Sequence, residues 1–107
     1  MKIGADHLME VIAKLLQALG AGDREARLVA KILAQADLRG IRTHGCAFLP
    51  LIAERCAHGL LNIPTKTKRI TDEGAIAHID GNNGLGQVAA VEAMQISIHQ
   101  AGNHGIR

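Results

Sequence analysis

Asp37-Leu38-Arg39-Gly40-Ile41-Arg42-Thr43-His44-Gly45-Cys46-Ala47-Phe48-Leu49-Pro50 is the stretch on which the reading of this chain turns. It leaves the last turn of a helical pattern, passes through two glycines and becomes apolar again. Between the glycines stand a hydroxyl and an imidazole, Thr43 and His44. An imidazole bordered by glycine, in a short break between two helices, is placed to face a cleft rather than a core. The glycines let the backbone come close to a ligand, and the Thr43 hydroxyl can orient the ring or the substrate. Imidazole titrates near neutrality, which suits it to passing a proton to a developing alkoxide.

Upstream, apolar residues at Leu8, Val11, Ile12, Leu15, Leu16 and Leu19 follow one helical face, with Asp6 as the expected cap and Gly20 as the stop. A second helix is expected from a cap at Asp23, with Ala26, Val29, Ala30, Leu33 and Ala36 as its stripe. Arg39 and Gly40 end it. Downstream, a third helix starting near Leu49, with Pro50 in its first turn, runs to about His58 and stops at Gly59.

The character then changes. Lys66–Thr71 and Ala75–Asp80, separated by Asp72-Glu73-Gly74, predict two strands and a tight turn. Gly81-Asn82-Asn83-Gly84 turns the chain again. A fourth helix is expected from Leu85 to Ala101, with Leu85, Val88, Ala89, Met94, Ile98 and Ala101 toward the core and Gly102 as its stop. Residues Asn103 to Arg107 read as the lead into another strand, the beginning of a crossover unit. The fold class is therefore α+β and mainly helical: three helices, a two-stranded hairpin and a fourth helix, an incomplete part of a larger α/β enzyme fold. Residues 1–62 form a helical domain carrying the Thr-His-Gly motif; 63–107 form the hairpin and crossover helix that start a larger catalytic domain.

Composition limits the partners. The chain has 107 residues, 48% of them apolar, with Phe48 as the single aromatic, so the core must be built from small aliphatic side chains and no aromatic stacking platform exists. The net charge of +2 is too small to imply a polyanion. Cys46 and Cys56 match no disulfide framework and no zinc spacing, so no metal site and reduced thiols in the cytoplasm are expected. No apolar run approaches the length of a membrane span. Gly81-Asn82-Asn83-Gly84-Leu85-Gly86 is GxxGxG rather than GxGxxG, and reads as a turn and helix cap rather than a phosphate loop.

From Asp37 to Gly45, then through Leu49-Pro50, Glu54-Arg55, Gly59-Leu60, Ala75–Gly81, Gly84–Gln87, Ala93-Met94 and His104-Gly105-Ile106, the chain resembles the N-terminal part of the malate/L-lactate dehydrogenase family. This group includes ureidoglycolate, sulfolactate and diketogulonate oxidoreductases and is unrelated in fold to the Rossmann-type lactate and malate dehydrogenases. The resemblance implies an oxidoreductase using NAD or NADP to interconvert 2-hydroxy and 2-oxo acids, with a small-molecule substrate and a homo-oligomeric state. The family's Ser-His-Gly triplet corresponds to Thr43, His44 and Gly45, so His44 inherits the role of proton donor to the carbonyl oxygen, with Thr43 beside it in place of serine. Many members carry an arginine four residues after the histidine, suited to a substrate carboxylate. Phe48 stands there in this chain. Either Arg42 or a residue elsewhere takes the carboxylate, or the substrate differs, or the site is impaired. Family members are much longer, and the resemblance places their dinucleotide-holding residues beyond position 107.

Two other readings follow from the residues. Three helices and a hairpin is also the order of a winged-helix DNA-binding module, with Arg39, Arg42, Lys66, Lys68 and Arg69 available to phosphates. Its would-be recognition helix, Pro50 to His58, offers only Glu54, Arg55 and His58 as polar side chains, and the small net charge weighs the same way. A catalytically silent fragment that keeps only an association surface is the third reading; an exposed sheet edge favours self-pairing.

Overall fold

The computed structural model describes residues 4–73 and 76–104. Helix α1 (Ala5–Ala18) and helix α2 (Asp23–Leu38) form an antiparallel pair. Two 3-10 turns, Arg42–His44 and Cys46–Phe48, lead into α3 (Leu49–Ala57). Strands β1 (Lys68–Glu73) and β2 (Ile76–Asp80) pair antiparallel, and α4 (Gly86–His104) packs on β2 and on α2.

The stripes of α1 and α2 meet as their spacing requires. Ile12, Leu16, Val29 and Leu33 are fully buried, and Ala13, Ala26 and Ala30 fill the space between the helix axes. Ile52 of α3 and Leu85, just before α4, close the same cluster. Burying each large aliphatic here is worth about 1.5–3 kcal/mol, so these few side chains dominate the stability of the helical part. The α1 stripe is wider than its partner: Val11 and Leu15 are exposed.

Helix starts depart from expectation. Neither Asp6 nor Asp23 caps through its side chain; Gly4 and Gly22 occupy the cap positions, and both aspartates fall inside the first turn. Their charge still faces the positive end of the helix. Asp23 is also engaged elsewhere, accepting from Gln17 Nε2 at 2.9 Å and from Arg27 Nε at 3.1 Å, while Arg27 reaches across to Glu10 of α1 at 3.1 Å. The ends of α1, α2 and α3 agree with the sequence. Gly20, Gly40 and Gly59 all take positive φ, and Pro50 lies in the first turn of α3.

The hairpin is shifted relative to the sequence reading. Asp72 and Glu73 belong to β1, pairing with Ala77 and Ile76, so they are strand rather than turn; the expected turn residue Gly74 lies outside the described residues. A bulge between Arg69 and Thr71 leaves Ile70 out of the ladder. After β2, Asn82 and Asn83 both adopt φ of 54°, the left-handed region that asparagine tolerates, and Asn82 N–H donates to Asp80 Oδ1 at 2.8 Å.

Helix α4 differs most. It runs through Gly102 to His104, so Gly102 is not its stop, and Asn103 and His104 are helical rather than the lead into a strand; Gly105 to Arg107 lie outside the described residues. Met94 and Ile98, expected in the core, are 62% and 65% exposed, and Ile96 and Gln100 are buried in their place. Apolar residues occur around the whole circumference of α4, so periodicity could not tell which face packs. The radius of gyration, 15.5 Å, exceeds the roughly 13 Å of a compact domain of this length, because the hairpin and distal α4 stand away from the helical cluster. Among the described residues no helix is long and apolar enough to cross a membrane.

Candidate active site

Helix α2 ends in a glycine-terminated cap. Gly40 N–H donates to Asp37 O at 3.0 Å and Ile41 N–H to Ala36 O at 2.9 Å, which turns the chain sharply away from the helix axis. Arg42, Thr43 and His44 then form a single 3-10 turn, and all three side chains are exposed. The Thr43 hydroxyl and His44 Nδ1 lie 3.0 Å apart, a hydrogen bond between neighbours in sequence. When the hydroxyl donates, the ring proton resides on Nε2, the nitrogen on the far side of the imidazole.

Gly45 separates the two 3-10 turns and is buried. Its φ of −100° lies outside the left-handed region, so conformational freedom is not the reason for glycine. Space is. A Cβ at Gly45 would sit 1.9 Å from Asp37 Oδ1 and 2.3 Å from its Cγ. The carboxylate rests directly on the glycine, where Oδ2 accepts the Cys46 N–H at 2.8 Å. The neighbouring Cys46 side chain, then its backbone N–H, and the nearby Arg42 charge hold Asp37 below the usual carboxylate range. The thiol itself is pushed up to about 11, first by burial and then by the hydrogen bond and charge of Asp37.

The structure thus brings Thr43 and His44 together and sets Arg42 on the same turn, within electrostatic reach of Asp37. His44 lines neither of two hollows of the surface. One, of about 520 Å³, is bounded by Phe48, Ile52, Arg55, Leu61, Leu85 and Gln87. The other, of about 660 Å³, lies beside the N-terminal end of α2, the opposite end from the Thr43–His44 turn, between Pro64-Thr65 and α4. Phe48 contributes an apolar wall to the first hollow, and Arg55 is the cation there. Among the described residues no group of three His, Cys, Asp or Glu side chains could hold a metal ion. Both cysteines are free thiols.

In the turn before α4, three backbone donors are engaged within the chain. Asn82 N–H is bound by Asp80, Gly84 N–H donates to Gly81 O at 3.0 Å, and Leu85 N–H donates to Thr65 Oγ1 at 2.9 Å. Asn62 clamps the same turn, its backbone N–H donating to Asn83 O at 2.8 Å and its amide to Asn82 O at 2.7 Å. Asp37 is the residue whose part the sequence did not reveal. It lies nine positions before Cys46, and no periodic or motif spacing announces a contact made across a loop.

Comparison with known proteins identifies the family and the fold. A profile described as Malate/L-lactate dehydrogenase matches residues 3–107. Malate dehydrogenase of Pyrococcus horikoshii is 34% identical over 106 residues, and hydroxycarboxylate dehydrogenase B of Escherichia coli K12 is 35% identical over 105; in each case nearly the whole of this chain aligns with 29% of the relative. The solved structure of the Pyrococcus horikoshii malate dehydrogenase superposes with a TM-score of 0.93 at 33% identity, covering 98% of this chain and 30% of that one. The chain therefore spans less than a third of the length of these relatives, and across that span, fold and sequence together, it belongs to the malate/L-lactate dehydrogenase family.

Proposed function

We propose that this chain is the acid–base-bearing N-terminal portion of an NAD(P)-dependent oxidoreductase that interconverts 2-hydroxy and 2-oxo acids. The observation that carries the reading is the exposed His44 ring tied through Nδ1 to the Thr43 hydroxyl, in a chain of this family. In the reducing direction His44 hands a proton to the carbonyl oxygen of the 2-oxo acid as that oxygen becomes an alkoxide. In the oxidising direction it takes the hydroxyl proton. Thr43 holds the ring so that one nitrogen is turned away from the protein. Arg42, two residues before His44, is the cation proposed to meet the substrate carboxylate.

NAD or NADP is the redox partner expected for the family. The chain spans less than a third of the length of the relatives it matches, and the 107-residue chain alone is expected to turn over poorly. In this reading residues 1–62 present the acid–base turn and residues 63–107 begin the larger catalytic domain. Self-association, with Ile70 and Ile76 exposed on the two-stranded sheet, and a cytoplasmic setting for the free thiols belong to the same proposal.

The test is a chimera in which this chain replaces the matching segment of the Escherichia coli relative, assayed for reduction of 2-oxo acids. His44→Ala is expected to lower kcat about 100-fold or more. A His44→Ala chimera that keeps kcat within about twofold of its parent overturns the assignment.

A further inference from the structure

The turn carrying Thr43 and His44 has little apolar anchorage. Ile41, Arg42, Thr43 and His44 are all exposed, and the 3-10 turn is closed by two backbone hydrogen bonds, His44 N–H to Ile41 O at 3.1 Å and Gly45 N–H to Arg42 O at 3.2 Å. Such a short turn does not hold a side chain to one direction by its own geometry. The strongest contact beside it comes from α2. The Asp37 carboxylate occupies the volume a side chain at Gly45 would need and accepts the Cys46 N–H. It also lies beside the Cys46 side chain and feels the charge of Arg42. One carboxylate is thus coupled to the residues two before and two after His44.

We infer that Asp37 is a positioning residue for His44, its carboxylate locked over Gly45 and onto Cys46 so that the 3-10 turn presents the imidazole in one orientation. The inference rests on the reading of His44 as the acid–base group and adds what aims it. Asp37 itself meets no substrate; it acts through the backbone at 45–46. A charged acceptor is suited to the task because a carboxylate binds an N–H more strongly than a neutral oxygen does. Gly45 follows as a consequence: any side chain there would displace the carboxylate that holds the loop.

Two measurements test this. In isotope-labelled 107-residue chain, amide exchange at Cys46 and the through-space signal between Thr43 and the His44 ring report the loop, and the methyl shifts of Val29 and Leu33 report the core. Asp37→Leu, which keeps bulk but accepts no hydrogen bond, is expected to speed Cys46 exchange about tenfold or more and to weaken the Thr43–His44 signal, with core shifts unchanged. Asp37→Asn, which keeps an acceptor, is expected to stay within about threefold of the parent. Gly45→Ala is expected to reproduce the Asp37→Leu loop. Should Asp37→Leu disturb the core, the Gly45→Ala and Asp37→Asn results decide alone. A native Thr43–His44 signal and native Cys46 protection in Asp37→Leu or Gly45→Ala overturn the inference.

In the chimera, Asp37→Leu is expected to lower kcat about tenfold with KM within about threefold, and Asp37→Asn to restore most of it. Running His44→Ala beside it separates two failures. An active His44→Ala variant removes the acid–base reading. An inactive His44→Ala with a fully active Asp37→Leu removes only the positioning role.

Discussion

Thr65 and Gly84 are packed so closely that a Cβ on Gly84 would stand 2.4 Å from Thr65 Cγ2 and 2.8 Å from its Cβ and Oγ1. Thr65 cannot move aside without loss. Its hydroxyl accepts the Leu85 N–H at 2.9 Å, and its own N–H donates to Glu25 at 2.7 Å. This threonine ties the start of α2 to the start of α4, and the absent side chain of Gly84 makes the tie possible. Gly84→Ala is therefore expected to destabilise the fold by about 1–3 kcal/mol. Thr65→Val, which keeps the shape and loses the hydroxyl, is expected to cost about 1 kcal/mol through the orphaned Leu85 N–H. Urea unfolding checks both, and the Thr65→Ala/Gly84→Ala pair should lose less than the sum of its singles, because truncation of Thr65 relieves the overlap.

The two apolar faces of the helical part and of α4 should respond oppositely to truncation. Leu33 is fully buried in the cluster of α1, α2 and α3, so Leu33→Ala is expected to lose about 2–5 kcal/mol. Met94→Ala, on the exposed side of α4, is expected to change stability by no more than about 0.5 kcal/mol in the isolated chain. Thermal or urea unfolding of the two variants decides; comparable losses would place Met94 in a packed interior.

Cys46 should be a slow thiol. With its pKa pushed up to about 11 from an ordinary 9.0, it carries at pH 8 only about a hundredth of the thiolate of an unperturbed cysteine. The sign follows from the raised value: the fold favours the neutral thiol, that contribution is fully present below the ordinary value, and it is lost as pH rises through about 11. In a Cys56→Ser background, alkylation by iodoacetamide at pH 8 is expected to run about 100-fold below a free cysteine and to rise tenfold per pH unit up to the shifted value. Because burial is the leading cause, Asp37→Asn should recover only part of the rate. Alkylation at the free-cysteine rate at pH 8 would contradict the half-buried thiol beside Asp37.

Where local signals act alone, the sequence was legible. Gly20, Gly40 and Gly59 ended their helices because only glycine takes positive φ there without strain, and Pro50 fell in the first helical turn, where its missing N–H is not needed. Ile12, Leu16, Val29 and Leu33 were readable as core from their spacing. The aspartate caps failed because Gly4 and Gly22 precede the aspartates by one or two positions and Asp23 is drawn to Arg27 and Gln17. Met94 and Ile98 failed because α4 is apolar all round and only its neighbours choose a face.

Read without coordinates, the chain already determined its helices, its hairpin and the Thr43–His44 pair, since periodicity, turn chemistry and adjacency are properties of neighbouring residues. Only the tertiary structure decided that Asp37 lies over Gly45, that Thr65 fills the space beside Gly84, and that α4 buries Ile96 rather than Ile98. Those contacts join residues eight to twenty positions apart or select among equal faces, and their geometry exists only once separate elements have packed.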